Sequence, residues 1–331
     1  MTTEREAWLA QTIEDPIDPE LPICDTHHHL WDSPNNRYLL EDFMKDAEGG
    51  HNIVHTVFLD CRARYRTYGP PEMQPVGETE FVEDIANRSA TGQYGKTRVA
   101  AGIVSHADLR LGAAVVPVLE AHMAASKRFR GIRHISAWLE DSNTGFSTSA
   151  PRLLYDPKFR EGFACLQEYG LSFDTWMYHT QLMELVDLAR AFPDAPIILN
   201  HIGTPLGVGP YALKREEVFQ DWKSGIAELA TCPNVIIKLG GLGMWPPGFG
   251  WHELAKPLGS AELAKAMAPY FLWCIEKFGA DRCMFESNFP VDKMSYSYTV
   301  MWNAFKRVTE GFSPSERAAL FNDTAVKVYR L

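Results

Sequence analysis

The chain has 331 residues, of which 46% are hydrophobic and 22% are charged, a composition typical of a globular protein with a large core. Its formal net charge at pH 7 is −10 and it has no run of Lys or Arg, which argues against a surface for nucleic acid or anionic lipid. We therefore expect a small-molecule partner, and a homo-oligomer is left open. Because neither a signal-peptide pattern nor about 18 successive apolar residues is found, a cytoplasmic location is predicted.

Short apolar runs alternate with longer amphipathic segments, which is the pattern of βα units in a parallel sheet. Strands are predicted at residues 23–26, 56–60, 99–104, 131–135, 171–176, 197–200, 235–239 and 283–285. Helices are predicted at residues 78–89, 113–125, 157–169, 181–192, 214–230, 261–278 and 314–329. Eight such units favour an α/β fold, a single-domain (β/α)8 TIM barrel over residues 22–331, after an N-terminal extension of residues 1–21. An open, doubly wound sheet is the structural alternative.

The first predicted strand runs into three consecutive histidines, His27, His28 and His29. Side chains alternate across a strand, so His27 and His29 share one side and His28 takes the other. At the carboxyl end of a barrel strand, two such imidazoles face the axis, where they can hold a divalent metal or a substrate carbonyl. Two hydrogen-bonded structural histidines are the alternative interpretation, and for His28 alone that interpretation is favoured.

Three later strands carry polar side chains at their ends. His179 and His201 each follow a predicted strand, so three strands would deliver imidazoles to one face of the barrel. The last strand ends in Glu286 and Asn288, which are two residues apart and therefore share a side.

Three motifs together resemble the amidohydrolase-related metal-dependent hydrolases: His-x-His after the first strand, His-Ile-Gly from His201, and Ser-Asn-Phe-Pro around Asn288. Sugar lactonases and the 2-pyrone-4,6-dicarboxylate lactonase form the branch that the chain most resembles, over about residues 22–331. The resemblance implies that His27, His29 and His201 surround a divalent metal, Zn or Mn, or a lactone carbonyl. It also implies a last-strand aspartate that activates water.

The chain departs from that pattern at Asn288, which occupies the place of the aspartate. An amide cannot accept a proton near neutral pH and is a weaker metal ligand, so the usual general base is missing. We expect Glu286 to replace it, as a metal ligand or as the base, because burial and a nearby cation can tune the pKa of a carboxylate. A buried salt bridge with Lys or Arg is the alternative role for Glu286, and a histidine is the alternative base.

Side chains at the strand ends are predicted to bind the substrate. The planar guanidinium group of arginine can hold a carboxylate by paired hydrogen bonds, which favours an anionic substrate. Aromatic side chains would supply apolar walls for a ring. The predicted binding residues are Arg62, Arg64, Tyr65, Arg133, Trp138 and Tyr178.

The predicted function is the hydrolysis of a cyclic ester, a carboxylated lactone, with or without a divalent metal. The predicted catalytic residues are Glu286, Asn288, His201 and His179, and the predicted metal ligands are His27, His29, His201 and Glu286. A metal-dependent decarboxylase acting on an aromatic or unsaturated acid is the first alternative. A ligand-binding barrel that lost its base at Asn288 is the second.

Overall fold

Eight parallel strands form the centre of the structure, a computed structural model that describes residues 3–33, 36–140 and 149–331. The strands are β1 (Ile23–His28), β2 (Trp31–Ser33), β3 (Asn36–Tyr38), β4 (Ile53–Leu59), β5 (Arg98–Ser105), β6 (Phe129–Ile135), β7 (Ser172–Trp176), β8 (Ile197–Leu199), β9 (Val235–Leu239) and β10 (Cys283–Phe285). Strands β2 and β3 form a separate antiparallel ribbon, and the other eight pair in the order β1-β4-β5-β6-β7-β8-β9-β10. All eight predicted strands are confirmed.

The sheet closes on itself because the chain beyond β10 pairs with the end of β1. A parallel bridge joins His28 and Phe289. The backbone N–H of Asn288 donates to the carbonyl of His27 at 2.8 Å, and that of His29 donates to the carbonyl of Phe289 at 2.8 Å. The fold is therefore a (β/α)8 barrel, and the open-sheet alternative is wrong.

Helices surround the barrel. Their bounds are α1 (Thr3–Leu9), α2 (Leu40–Ala47), α3 (Val76–Ala90), α4 (Val116–Ala125), α5 (Pro157–Glu168), α6 (Leu182–Ala191), α7 (Arg215–Ala230), α8 (Ser260–Phe278), α9 (Tyr298–Val308), α10 (Pro314–Ala318) and α11 (Thr324–Tyr329). The helix predicted at 113–125 begins later, because Leu109–Val115 form 3-10 turns in which Gly112 has a φ of 60°. The helix predicted at 314–329 is interrupted by a π-type turn, Ala319–Asp323. In the part of the chain that is described, no helix has both the length and the apolar character needed to cross a membrane.

The barrel interior beneath the strand ends holds a buried ion pair. The Lys238 Nζ lies 2.9 Å from the Asp174 Oδ1 and donates to the carbonyl of Thr26 at 2.7 Å. The hydroxyl of Tyr329, which α11 carries into the barrel, donates to the same Asp174 oxygen at 2.9 Å. These groups and the apolar side chains around them fill the interior, as in other barrels of this type. The open face for a ligand is therefore the carboxyl-terminal one.

Two buried histidines on the outer side of the barrel predict a pH dependence of stability. The His122 Nδ1 is hydrogen-bonded to the Thr79 hydroxyl at 2.7 Å, and burial lowers the pKa of His122 to about 4 and that of His134 to about 3. In the unfolded chain a histidine titrates near pH ~6.5, so the unfolded state binds more protons below that pH. These histidines therefore contribute stability above pH ~6.5 that is lost as the pH falls toward 4.

We expect His122→Gln to remove part of this acid sensitivity. Between pH 7 and pH 5, the free energy of unfolding of the wild type should fall by about 2 kcal/mol more than that of the variant. Urea unfolding at a series of pH values measures the difference. Burial raises the pKa of Asp25 and Asp292 to about 6, so these two groups make the folded state more stable as the pH falls. Their effect is the same in the wild type and the variant, and it cancels in the comparison. If the free energy of unfolding fell by the same amount in both proteins between pH 7 and pH 5, the prediction would be wrong.

Candidate active site

A cavity of about 390 Å³ opens at the carboxyl ends of the barrel strands. Aromatic and apolar side chains form most of its wall, and a few polar groups converge at one end. The lining residues are His29, Trp31, Asp60, Cys61, Arg62, Arg133, Ile135, Trp176, His201, Met244, Trp245, Pro246, Asn288, Val291 and Met294. Because barrel enzymes place their catalytic groups on this face, the cavity is the candidate active site.

The side chains of His27 and His29 lie on one side of the chain, as the alternation of β1 predicts; His29 lines the cavity and His27 lies behind it. Their Nε2 atoms lie 3.2 Å apart. The His29 Nδ1 is 2.9 Å from the carbonyl oxygen of Leu59 and must donate to it, which leaves Nε2 as the unprotonated nitrogen of a neutral ring. His28 points to the other side, where its Nε2 is 2.8 Å from the Thr56 hydroxyl. The structural interpretation of His28 thus agrees with its contacts.

Glu286 lies beneath the histidines and does not line the cavity. One carboxylate oxygen accepts from the backbone N–H of His201 at 2.8 Å and lies 2.7 Å from the His201 Nδ1. The other oxygen lies 2.9 Å from the His27 Nδ1. A single fully buried carboxylate at the end of β10 therefore contacts an imidazole from the end of β1 and one that follows β8.

His27, near the end of β1, and His29, which follows β1, are held in the neutral form. Burial lowers the pKa of His27 and His29 well below the usual range, and the neighbouring histidines and Arg133 lower each further. A neutral imidazole with a free Nε2 can accept a proton or bind a metal ion.

The histidine cluster has the donor set of a transition-metal site. Two nitrogen ligands of a tetrahedral zinc ion at about 2.0–2.1 Å are roughly 3.3 Å apart, close to the separation of the His27 and His29 Nε2 atoms. Ligand atoms of His27, His201 and Glu286 also lie within 4.8 Å of one another. The residues therefore fit a divalent ion that prefers imidazole and carboxylate ligands.

Arg133 brings a fixed positive charge to the same place. Its Nη1 is 3.4 Å from the His27 Nε2, its Nη2 donates to the carbonyl of Asp60, and the residue is 5% exposed. The Asp60 carboxylate accepts from the Tyr65 hydroxyl at 2.7 Å. Although burial acts to raise it, nearby His106 and Arg133 and the Tyr65 bond lower the pKa of Asp60 to about 2. The wall of the cavity thus holds an ionised Asp60 carboxylate with the Arg133 guanidinium 3.9 Å away.

Asn288 lies on the opposite wall and is backed by Asp292. The Asn288 Nδ2 donates to the Asp292 Oδ1 at 2.7 Å, and the Tyr296 hydroxyl donates to the Oδ2 at 2.5 Å. The backbone of Asn288 has a φ of 54°, a left-handed conformation that asparagine tolerates better than most residues.

The structure brings only some of the predicted site residues to the cavity. Those that line it are His29, His201, Asn288, Arg62 and Arg133, while His27 and Glu286 lie directly behind them. Arg64 instead forms a hydrogen-bonded ion pair with Asp32, and Tyr65 reaches the site only through Asp60. The His179 ring packs on Tyr211, 5.3 Å between centroids. Trp138 and Tyr178 do not line the cavity either; Tyr178 packs in an apolar cluster with Trp176.

Other lining residues were not among the predicted site residues. Met244, Trp245 and Pro246 come from the loop after β9, and Val291 and Met294 come from the segment after β10. The sequence signal for them is that both segments follow predicted strands, and such loops meet at the catalytic face of a barrel. For Trp245 the aromatic ring is a further signal, because it suits the apolar wall of a pocket.

A closed barrel with two histidines after its first strand, a third after its sixth and a buried glutamate beneath them defines an active site of the amidohydrolase type. The chain belongs to the amidohydrolase family, whose model, described as "Amidohydrolase", matches residues 24–331, and it is a hydrolase.

Relatives and solved structures are similar over nearly the whole chain. An uncharacterized protein of Sinorhizobium fredii is 36% identical, covering 94% of this chain and 99% of the relative. An L-fucono-1,5-lactonase of Burkholderia ambifaria is 26% identical, covering 93% and 95%. The crystal structure of an amidohydrolase from Burkholderia multivorans with bound zinc has a TM-score of 0.70 at 23% identity, covering 93% and 99%. The match to this zinc-bound structure shows that the two proteins share a fold.

Gly241 provides a test of how tightly the site is packed. A Cβ at this position would lie 2.5 Å from the His201 Cβ and 2.6 Å from its Cγ, and the backbone φ is +73°. Gly170 has a similar φ of +61° but open space around it, so Gly170→Ala measures the backbone strain alone.

We expect Gly170→Ala to cost about 1–2 kcal/mol in the free energy of unfolding, because an L-residue is strained at positive φ. Gly241→Ala should cost about 1–3 kcal/mol more, because the methyl group would also displace the His201 ring. Urea unfolding of the two variants measures this. Equal costs would show that the contact with His201 is not tight.

Proposed function

We propose that this hydrolase opens a lactone by attack of water on the ring carbonyl. The observation that carries the proposal is the buried Glu286 carboxylate, which lies 2.7 Å from the Nδ1 of His201 at the cavity wall. A proton on Nδ1 is held by Glu286, so the Nε2 of His201 is free to accept one from water. The similarity to L-fucono-1,5-lactonases supports this choice of reaction.

In this mechanism His201 is the proton acceptor and Glu286 is a positioning residue. Glu286 fixes the tautomer of His201 and stabilises the imidazolium that forms, as the buried aspartate does in a catalytic triad. Asn288, which cannot take the proton, orients the water through its amide group. His179 takes no part because it lies outside the cavity.

Arg133 supplies positive charge for the developing oxyanion. Its guanidinium lies beside the His27 Nε2 and lines the cavity, and a fixed donor in a water-poor site stabilises charge that appears in the transition state. A divalent ion, zinc or manganese, would be held by the Nε2 atoms of His27 and His29. Glu286 and His201 are not assigned as ligands in this proposal, because the Glu286 oxygens contact the Nδ1 atoms of His27 and His201. When bound, such an ion polarises a carbonyl and lowers the pKa of water.

The substrate we propose is a monocyclic, carboxylated lactone. Trp31, Trp176 and Trp245 give the cavity apolar walls that suit a ring. Arg62 is exposed at the rim of the same cavity, where it can pair with a carboxylate on the substrate.

The cytoplasmic location and a homo-oligomer stay predictions from the sequence.

A panel of five- and six-membered lactones, with and without a carboxylate, tests the function. The wild type should release acid from a carboxylated member faster than from its neutral counterpart. Glu286→Gln should lower kcat at least about 100-fold, because the carboxylate that stabilises the imidazolium is lost. Glu83→Gln, which removes a carboxylate paired with Arg128 away from the cavity, should keep wild-type activity. Titration of released acid and chromatography of the products measure these outcomes.

Two results would overturn the proposal. Wild-type kcat in Glu286→Gln would remove the His201–Glu286 pair from the mechanism. Release of carbon dioxide from an aromatic or unsaturated acid, with no ring-opened product from any lactone, would favour the decarboxylase.

Elemental analysis of protein purified without chelator tests the ion-binding residues. We expect one divalent ion per chain in the wild type, none in His29→Asn, and one in His201→Asn, because His201 acts on the proton. His179→Asn, a histidine outside the cavity, is the matched control and should keep the ion. Loss of the ion in His201→Asn as well would make His201 a ligand and contradict its assignment as the proton acceptor.

A further inference from the structure

Asp292 is a buried carboxylate that does not line the cavity, yet it touches a residue that does. Its Oδ2 accepts from the Tyr296 hydroxyl at 2.5 Å and from the backbone N–H of Gly243 at 3.0 Å. Its Oδ1 accepts from the Asn288 Nδ2 at 2.7 Å. Three donors converge on this carboxylate, which matches an ionised group that can only accept.

These contacts decide which end of the Asn288 amide is available to a ligand. An ionised carboxylate has no proton to donate, so the amide must turn its NH₂ group toward Asp292. The Oδ1 of Asn288 is then the atom offered on the cavity side, where this residue forms part of the wall. The cavity therefore presents an acceptor at this point and not a donor.

The backbone leaves Asn288 little freedom to change this arrangement. Its N–H donates to the carbonyl of His27 at 2.8 Å, and its carbonyl accepts from the N–H of Asp292 at 3.2 Å. With both backbone groups held, the side-chain torsions are the main freedom left, and the Asp292 bond fixes them.

We propose that Asp292 is a positioning residue for the hydrolysis, which fixes the Asn288 amide so that its oxygen accepts a hydrogen bond from the attacking water. The inference rests on the proposed function, because the water is the one that His201 deprotonates. Holding that water in line with the lactone carbonyl lowers the entropic part of the activation free energy of hydrolysis.

The contacts predict opposite outcomes for two isosteric variants. In Asp292→Asn, the new NH₂ group would face that of Asn288 unless the Asn288 amide rotates, and the rotation would present a donor to the cavity. In the exchange variant Asn288→Asp/Asp292→Asn, the new amide oxygen can accept from Tyr296 and Gly243 while its NH₂ group donates to the carboxylate at 288. Every hydrogen bond is kept, and the cavity again meets an acceptor.

Steady-state kinetics on the best lactone of the panel test this. We expect Asp292→Asn to lower kcat about 100-fold with KM changed less than about threefold, because the water is misplaced while the substrate pocket is intact. The exchange variant should recover kcat to within about tenfold of the wild type. Wild-type kcat in Asp292→Asn, or an exchange variant as slow as Asp292→Asn, would overturn the proposal.

A second measurement needs no turnover and so separates this inference from the proposed function. In ¹⁵N-Asn-labelled protein, the side-chain NH₂ protons of Asn288 should exchange with solvent at least tenfold more slowly than those of the exposed Asn87. In Asp292→Asn this protection should be lost, while melting temperatures report whether each variant folds. Unprotected Asn288 protons in the wild type would overturn the positioning by Asp292. Protected protons without hydrolysis of any lactone would leave the geometry standing and overturn the lactonase.

Discussion

The active site depends on one buried carboxylate. Glu286 stands at the end of β10 and contacts His27, at the end of β1, and His201, which follows β8. Burying a carboxylate is costly unless polar partners surround it. Here the backbone N–H and the Nδ1 of His201 are hydrogen-bonded to one oxygen, and the His27 Nδ1 lies 2.9 Å from the other. The same contacts fix the ring orientations. The contacts that make burial of the Glu286 carboxylate tolerable are therefore the same ones that orient the His27 and His201 rings.

Closure of the barrel places those groups at hydrogen-bond distance. The backbone bonds from Asn288 to His27 and from His29 to Phe289 join the last strand to the first at the level of the site. Below them, the Lys238–Asp174 pair and Tyr329 hold the interior. A buried pair of this kind tolerates little displacement, because a charge left without its partner is strongly destabilising. The histidine cluster thus lies above a layer of buried, hydrogen-bonded polar groups.

The sequence predicts the fold well because the barrel repeats a local pattern eight times. Apolar runs and strand alternation are short-range signals, and they suffice to orient His27, His28 and His29 correctly. Glu286 shows the limit of such reasoning: alternation gives the side of the strand, but not that His201 and His27 lie between its carboxylate and the cavity. Arg64 and Tyr65 are similar cases, since the ion pair with Asp32 and the bond to Asp60 join loops distant in sequence. Such contacts depend on loop conformation, which has no periodic signal.

The family resemblance implies an aspartate where this chain has Asn288, a difference that changes the chemistry of the site with little change in its shape. Asparagine suits the left-handed backbone at this position, where φ is 54°, and it is isosteric with aspartate. What it lacks is the ability to take a proton, and the carboxylate next to it, Asp292, faces away from the cavity. A second carboxylate at position 288 would lie against Asp292, and two like charges in contact cannot both ionise readily. With Asp292 in place, an acceptor that carries no charge is the group that fits position 288, and in the proposed mechanism proton transfer falls to the imidazole that Glu286 contacts.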